Sequence, residues 1–240
     1  MKKYIGGYFL IKPREANYGS LNGKIISTCS SCINDTLYDS WAISWTEPID
    51  HQIETLRTEL EISEERQNEI QKWADQRFEE ERIGWLEVFQ DLETITEYSN
   101  SFFSHIEEKE IMKIVFQEDE ADAFLKEFKP THEKEGVAGM YQNLILKTEN
   151  VIDKSNEEFL GYDLIGVEYG GAGFHTFHCH DLANDLTDKF GLAINEKGLI
   201  ESVVNEKGLV DYMNDEENGF EPVPWFLVEV FKMKKAPNNV

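Results

Sequence analysis

The opening of the chain alternates apolar and polar positions in a way that predicts β-structure. Short apolar-rich runs cover Tyr4–Ile11 and Lys24–Thr28, and the turn-forming segment between them contains two asparagines and two glycines. A third run, Trp41–Trp45, places its tryptophans and an isoleucine on one face and small side chains on the other. That alternation is typical of a half-buried strand, so the first 46 residues are predicted to form short strands.

The apolar positions then change to helical spacing in an acidic segment. Ser63 is predicted to cap a helix whose first turn carries two glutamates, because their charge opposes the positive end of the helix dipole. Apolar residues recur at positions 70, 73, 74 and 78, and the same spacing continues past Gly84 to Phe89 and Leu92. The charged residues between them indicate a solvated outer face.

Further strands and helices are predicted as far as the C-terminus. The polar segment 131–139 contains two glycines and is predicted to be a linker. The last run, Pro224–Met233, is so uniformly apolar that we expect it to lie centrally in its sheet. The other predicted elements are strands at Ile111–Phe116, Tyr162–Val167 and Phe174–His180, helices at Glu118–Phe128 and Leu182–Phe190, and a helix or strand at Tyr141–Lys147.

These elements predict an α+β fold with a mixed or antiparallel sheet and segregated acidic helices, because strands and helices do not alternate regularly. A chain of 240 residues suits a single domain. Segment 131–139 is where we expect any subdivision. It would separate an N-terminal β and helical part, 1–130, from a C-terminal α+β part, 140–240.

Net charge is the compositional feature that bears most on the class of partner. The chain has 47 acidic and 23 basic residues, a net charge of −24, and segment 47–135 alone holds 26 acidic and 10 basic residues. Binding to nucleic acid or to an anionic membrane requires positive charge on the protein, so neither is expected as a partner. The same negative field favours a basic protein partner.

Targeting signals and cysteine usage predict a cytoplasmic protein. No apolar run reaches the ~18 residues that span a bilayer, and the opening MKKYIGGYFLIKPRE leads to no small-residue cleavage site. Three cysteines do not form an even disulfide framework. Cys29 and Cys32 enclose two serines and precede Asn34-Asp35, which indicates a turn rather than a redox or zinc motif.

Side chains able to do chemistry concentrate between residues 161 and 181, GYDLIGVEYGGAGFHTFHCHD. On a regular strand, His178 and His180 share one face and form a pair that could bind a metal, given a third ligand. His175 and Cys179 share the other face but lie ~13 Å apart, too far for a Cys–His catalytic pair. No catalytic residue, bound metal or cofactor is predicted. The candidate functional cluster comprises Asp163, His175, His178, Cys179 and His180.

Several motifs in this region resemble segments of small acidic bacterial proteins that are immunity partners of polymorphic toxins. They are Leu160-Gly161-Tyr162-Asp163, Phe174–His180, and Phe190-Gly191-Leu192 followed by Asn195 and Gly198-Leu199, about 40 residues in all. The resemblance implies a non-enzymatic cytoplasmic protein that neutralises a basic toxin by binding it one-to-one. It assigns no role to any single residue.

Two functional hypotheses follow from the sequence. The first is an acidic cytoplasmic binding protein, an immunity or inhibitor protein that neutralises a basic partner such as a toxin, chiefly through segment 47–135. Exposed aromatics such as Trp73 or Trp85 could anchor that contact, although a position in the core is the favoured interpretation for either one. The alternative is a metal-dependent enzyme that uses His178 and His180.

Overall fold

A single sheet organises the molecule, and all of its pairings are antiparallel. The computed structural model describes residues 1–13, 15–16, 19–28, 60–83, 88–128, 138–169, 174–178 and 183–234. The order of the strands in the sheet is β1-β2-β5-β3-β4. The five strands are β1 Lys3–Ile11, β2 Glu110–Gln117, β3 Glu157–Val167, β4 Phe174–Thr176 and β5 Trp225–Met233.

Helices cover both faces of this sheet, which confirms the predicted α+β class and resolves its sheet as antiparallel. Short 3₁₀ turns lie at Gly19–Leu21 and Glu216–Asn218. The α-helices of the described residues are α1 Glu64–Glu79, α2 Leu92–Phe102, α3 Glu118–Glu127, α4 Ala138–Leu146, α5 Ala183–Phe190 and α6 Glu206–Met213.

Strand β5 lies in the middle of the sheet, as its uniformly apolar sequence predicts. Val228 stands opposite Phe116 of β2 on one side and Asp163 of β3 on the other. Seven consecutive residues of β5, from Trp225 to Phe231, are buried. A strand with neighbours on both edges and side chains packed on both faces has no position for an exposed polar residue.

The side chains of the strands alternate between two core layers. Phe226 and Val228 pack with the helices α3 and α4, whereas Trp225 and Leu227 pack with α5 and α6 on the opposite face. At the β1 end of that opposite face, α1 and α2 cover a further aromatic cluster. The rings of Trp73, Phe89 and Tyr98 stack there at centroid distances of 5.1 to 6.4 Å.

Two ion pairs, one part-buried and one buried, lie on the sheet face between those clusters. Lys3 of β1 donates to Glu229 of β5 at 2.6 and 2.8 Å, and the Glu229 side chain is 4% exposed. Lys113 of β2 pairs with Glu157 of β3, and both side chains are almost fully buried. Because a buried charge is costly without its partner, each pair requires that its two strands be placed together.

Bulges in β1 and β3 depend on glycines. The register shifts between Ile5 and Gly7 in β1, and between Phe159 and Gly161 in β3. Both glycines have positive φ, +145° and +150°. A Cβ on Gly161 would lie 2.8 Å from the carbonyl oxygen of Ile200 and from the Cβ of Leu199, so only glycine fits.

Most predicted elements are present, with three corrections. Segment 24–28 is not a strand, because only Ile25 forms a bridge, with Glu15, before the described residues end. Phe89 does not continue a helix but pairs with Tyr8 of β1, and α2 begins only after Asp91 caps it. The ambiguous segment at 141–147 forms a helix.

Two of the predicted segments, and the division into domains, remain predictions. Trp41–Trp45 and residues 131–137 of the predicted linker lie outside the described residues, whereas its last two residues, 138 and 139, begin helix α4. Strands from both sides of that linker pair in the sheet, since β2 and β5 are adjacent.

The bulge of β3 gives a stability prediction. We expect Gly161→Ala to lower the free energy of unfolding by about 3 kcal/mol, because strain at positive φ adds to overpacking. The matched control is Gly191→Ala, where φ is +64° but nothing lies within 4 Å of the added Cβ. That control should cost only about 1 kcal/mol in denaturant unfolding. Equal losses for the two variants would contradict the assigned close approach.

Candidate functional site

Asp163, the first residue of the predicted cluster, forms a buried hydrogen-bonded centre. Its carboxylate accepts from Thr28 Oγ1 at 2.6 Å and from Thr176 Oγ1 at 2.7 Å. All three residues are at most 2% exposed. Pairing of Ile165 with Thr176 sets the position of the second hydroxyl, because Asp163 and Ile165 share a face of β3.

His175 lies on the other face of the sheet from Asp163. It stands opposite Gly166 of β3, which in turn pairs with Trp225 of β5. The Nε2 atom of His175 lies 3.2 Å from Glu168 Oε1, and its ring centroid lies 6.4 Å from that of Trp225. Because paired residues share a face and positions 163 and 166 of β3 lie on opposite faces, Asp163 and His175 are on opposite sides of the sheet.

His178 does not lie on a strand, which corrects the predicted geometry of the histidine pair. Strand β4 ends at Thr176, and Phe177 and His178 are in a turn. The His178 Nε2–H donates to the carbonyl oxygen of Gly198 at 2.6 Å, and its ring packs on Phe177 at 4.0 Å. That nitrogen is engaged within the chain, so it is not a metal ligand here.

The remaining cluster residues, Cys179 and His180, lie outside the described residues, as do Cys29 and Cys32. Among the residues that are described, no three His, Cys, Asp or Glu side chains are arranged to hold a metal ion. The described members of the cluster thus have hydrogen bonds typical of a structural core: hydroxyls to a carboxylate, and imidazoles to a carboxylate and a carbonyl.

Three arginines around α1 and α2 form ion pairs within the chain. Arg66 pairs with Glu69, Arg77 with Glu80 and Glu97, and Arg82 with Asp91 and Glu93. Trp73 is part-buried against the α1–α2 core, and its Nε1 donates to Glu97 at 3.0 Å. Trp73 is therefore a packing residue, and Trp85 lies outside the described residues.

A second acidic region joins two helices that are distant in sequence. Segments 118–127 and 206–217 hold ten carboxylates and two lysines between them, and we call them the α3–α6 acidic surface. Gln117, the N-cap of α3, donates to Glu206 of α6 at 3.2 Å. Sequence analysis placed the main acidic surface in segment 47–135 and missed this convergence, because no local pattern relates α3 to α6.

Glu120 ties this surface to the sheet. Its carboxylate accepts the backbone N–H of Leu227 at 3.0 Å, just beyond the last pairing between β2 and β5, Phe116 with Val228. Burial raises the pKa of Glu120 to about 6, and the negative charges of Glu206, Asp119 and Asp211 contribute further. Burial is thus the main cause of the raised pKa, and the charges of α6 add to it.

A pocket lies where this surface meets the start of β5. Its carboxylates are Glu127 of α3, Glu216 of the 3₁₀ turn and Glu221, and none of the described residues that line it is basic. Apolar walls come from Tyr169, Phe220 and the segment 222–224. The Tyr169 hydroxyl donates to Glu127, which raises the pKa of Tyr169. Nothing in the sequence pattern predicts this pocket, because it needs residues from three separate parts of the chain.

Comparison with known proteins assigns no family. No protein-family model matches the chain, and neither the curated proteins nor the solved structures contain a match. Among the described helices, none is long and apolar enough to cross a membrane.

The hydrogen bonds of Asp163 predict a structural role for its cluster. We expect Thr176→Val to lower the free energy of unfolding by about 2 kcal/mol, because a buried carboxylate loses a hydroxyl donor. The drop should be the same with and without a metal chelator. As a control, Thr96→Val removes a hydroxyl that only donates to Leu92 within exposed helix α2, and it should have little effect. An unchanged stability for Thr176→Val would contradict this role.

The raised pKa of Glu120 predicts that replacing this side chain by a neutral one stabilises the fold, by an amount that depends on pH. Because the pKa is higher in the folded than in the unfolded chain, ionised Glu120 destabilises the fold above about pH 6. Glu120→Gln keeps an acceptor for Leu227 N–H, so we expect it to raise the free energy of unfolding by about 1 kcal/mol at pH 7.

The gain should shrink as pH falls through 6 and vanish near the ordinary glutamate pKa of about 4.5. Chemical denaturation at several pH values measures it, with the exposed Glu108→Gln as control. A gain that is constant across this pH range would contradict the assigned cause.

Proposed function

We propose that this protein binds a basic protein partner through its α3–α6 acidic surface and blocks that partner's activity. This is the role that the resemblance to immunity proteins implies. The observation that carries the proposal is the juxtaposition of the two acidic helices, since Gln117 at the start of α3 donates to Glu206 of α6 at 3.2 Å. A surface on which carboxylates outnumber cations favours binding of an oppositely charged surface.

The balance of charges favours the α3–α6 acidic surface, and not the region of α1 and α2, as the binding surface for the partner. The arginines around α1 and α2 neutralise part of their own surroundings. On the α3–α6 surface, one lysine of the helices pairs with Asp211, and Lys147 pairs with Asp122. Exposed carboxylates at Asp119, Glu127 and residues 215–217 remain in excess there.

Affinity for the partner should depend steeply on salt, since exposed charges are screened at high ionic strength. Tagged protein captures its partner from the native lysate at low salt, and mass spectrometry identifies it. The purified partner is then titrated calorimetrically at about 50 mM and about 500 mM salt, conditions that span strong and weak screening. We expect a protein of high isoelectric point, much weaker binding at high salt, and loss of its activity in an equimolar complex.

A charge-matched pair of variants locates the surface. Asp119→Lys with Glu217→Lys should weaken binding by about tenfold or more at low salt. Asp75→Lys with Glu79→Lys makes the same change in net charge on α1, where we expect a much smaller effect. Equal effects of the two double variants would contradict the assignment to α3 and α6, and salt-independent binding would overturn the electrostatic basis.

A further inference from the structure

We infer that the pocket between α3 and the start of β5 receives one arginine side chain of the basic partner. The inference rests on the proposed function and goes beyond it, because it names one side chain of the partner and the pocket that binds it. The pocket is lined by Glu127, Tyr169, Asn214, Glu216, Phe220 and Glu221, among others.

Charge selects a cation for this pocket. Three carboxylates line it, and the part of its lining that the structure describes holds no lysine, arginine or histidine. Met213 and Asn214, which also line it, stand at the C-terminal end of α6. The partial negative charge at that end of a helix adds to the charge of the carboxylates, so the potential inside the pocket favours a positive side chain.

The shape of the walls favours arginine among cations. Tyr169 is 66% exposed, and its ring contacts that of Phe128 in a tilted arrangement at a centroid distance of 5.7 Å. The exposed ring offers a surface on which a planar guanidinium can stack. Phe220 and two prolines provide apolar contact for the methylene stem, and carboxylates at the rim suit the forked donors of the guanidinium.

Hydrogen bonds hold two lining residues of the pocket, Asn214 and Glu221, in place. The Asn214 side chain accepts from Trp225 N at 2.9 Å and donates to Trp225 O at 3.0 Å. Trp225 Nε1 donates in turn to the Glu221 carbonyl oxygen at 3.0 Å. Residues 214 and 221 are thus both fastened to the first residue of β5. A site that is ordered before binding loses less entropy when an anchor enters it.

A small-molecule probe tests the pocket without any partner protein. N-acetyl-arginine methylamide is titrated against ¹⁵N-labelled full-length protein, and the matched neutral probe is N-acetyl-citrulline methylamide. We expect the arginine probe to shift the Trp225 indole and Asn214 side-chain signals saturably, whereas the citrulline probe leaves them unchanged. Equal shifts with citrulline, or shifts spread over all acidic segments, would overturn the inference. A lysine probe that binds as tightly as arginine would overturn the choice of arginine.

Variants that change only side chains of the pocket lining test which of them bind the arginine probe. Glu127→Gln with Glu216→Gln should weaken binding of the arginine probe by at least about fivefold, which is the scale of one or two exposed ion pairs. Tyr169→Ala should weaken it by about threefold, the scale of an exposed cation–π contact. The control Asp188→Asn with Glu201→Gln removes the same charge from exposed positions elsewhere and should leave the probe affinity unchanged.

The same variants separate failure of the pocket from failure of the proposed function. If the captured basic partner binds the Glu127→Gln, Glu216→Gln variant as tightly as the unaltered protein, the pocket inference fails while the proposed function stands. If the arginine probe fills the pocket but no basic partner binds in a salt-dependent way, the proposed function fails and the pocket remains a cation site of other use.

Discussion

The central position of β5 is the constraint on which the rest of the structure depends. This strand comes last along the described chain, yet its backbone pairs with both β2 and β3. Neither edge of β5 can be satisfied before the earlier strands are in place. Its one buried acidic residue, Glu229, also needs Lys3 from β1, which is 226 residues away in sequence. The fold is therefore held by contacts between the two ends of the chain.

The same strand links the buried core to the acidic exterior. The pairing of β5 with β2 ends at Val228. On that edge the N–H of the preceding residue, Leu227, is accepted by the carboxylate of Glu120 instead. Trp225 fixes Asn214 and Glu221 at the wall of the pocket. The acidic surface is thus attached to the most deeply buried strand of the sheet. Its carboxylates remain close together in spite of their repulsion because the core holds the helices that carry them.

The histidine-rich segment shows how a regular pattern can mislead. Extended alternation would place His178 and His180 together, but it requires β4 to continue beyond Thr176. Phe177 N–H still donates to Leu164 O, but further along the same edge of β3 Tyr162 pairs with Ile200. The chain therefore turns at Phe177, and His178 caps the carbonyl of Gly198 instead of lining a strand. Competition for one strand edge decided this, and no local sequence signal records it.

The sequence by itself determined the elements whose cause is local. Ser63 begins α1 because its side chain accepts the N–H of Arg66, and the apolar run of β5 requires burial wherever it lies. Tertiary structure alone decided features that need distant partners. Asn-Glu-Lys-Gly-Leu occurs twice: at 195–199 it forms a turn with Gly198 at positive φ, and at 205–209 it begins α6.

The Asp163 centre and the arginine pocket belong to this second group. Each combines side chains separated by 13 to 135 residues or by whole elements, and only the packing of the sheet brings them together. Composition fixed the sign of the charge on the surface, because 47 acidic residues cannot all be buried. Where that charge is concentrated was decided by which helices flank the start of β5, since strand order is a property of the whole chain.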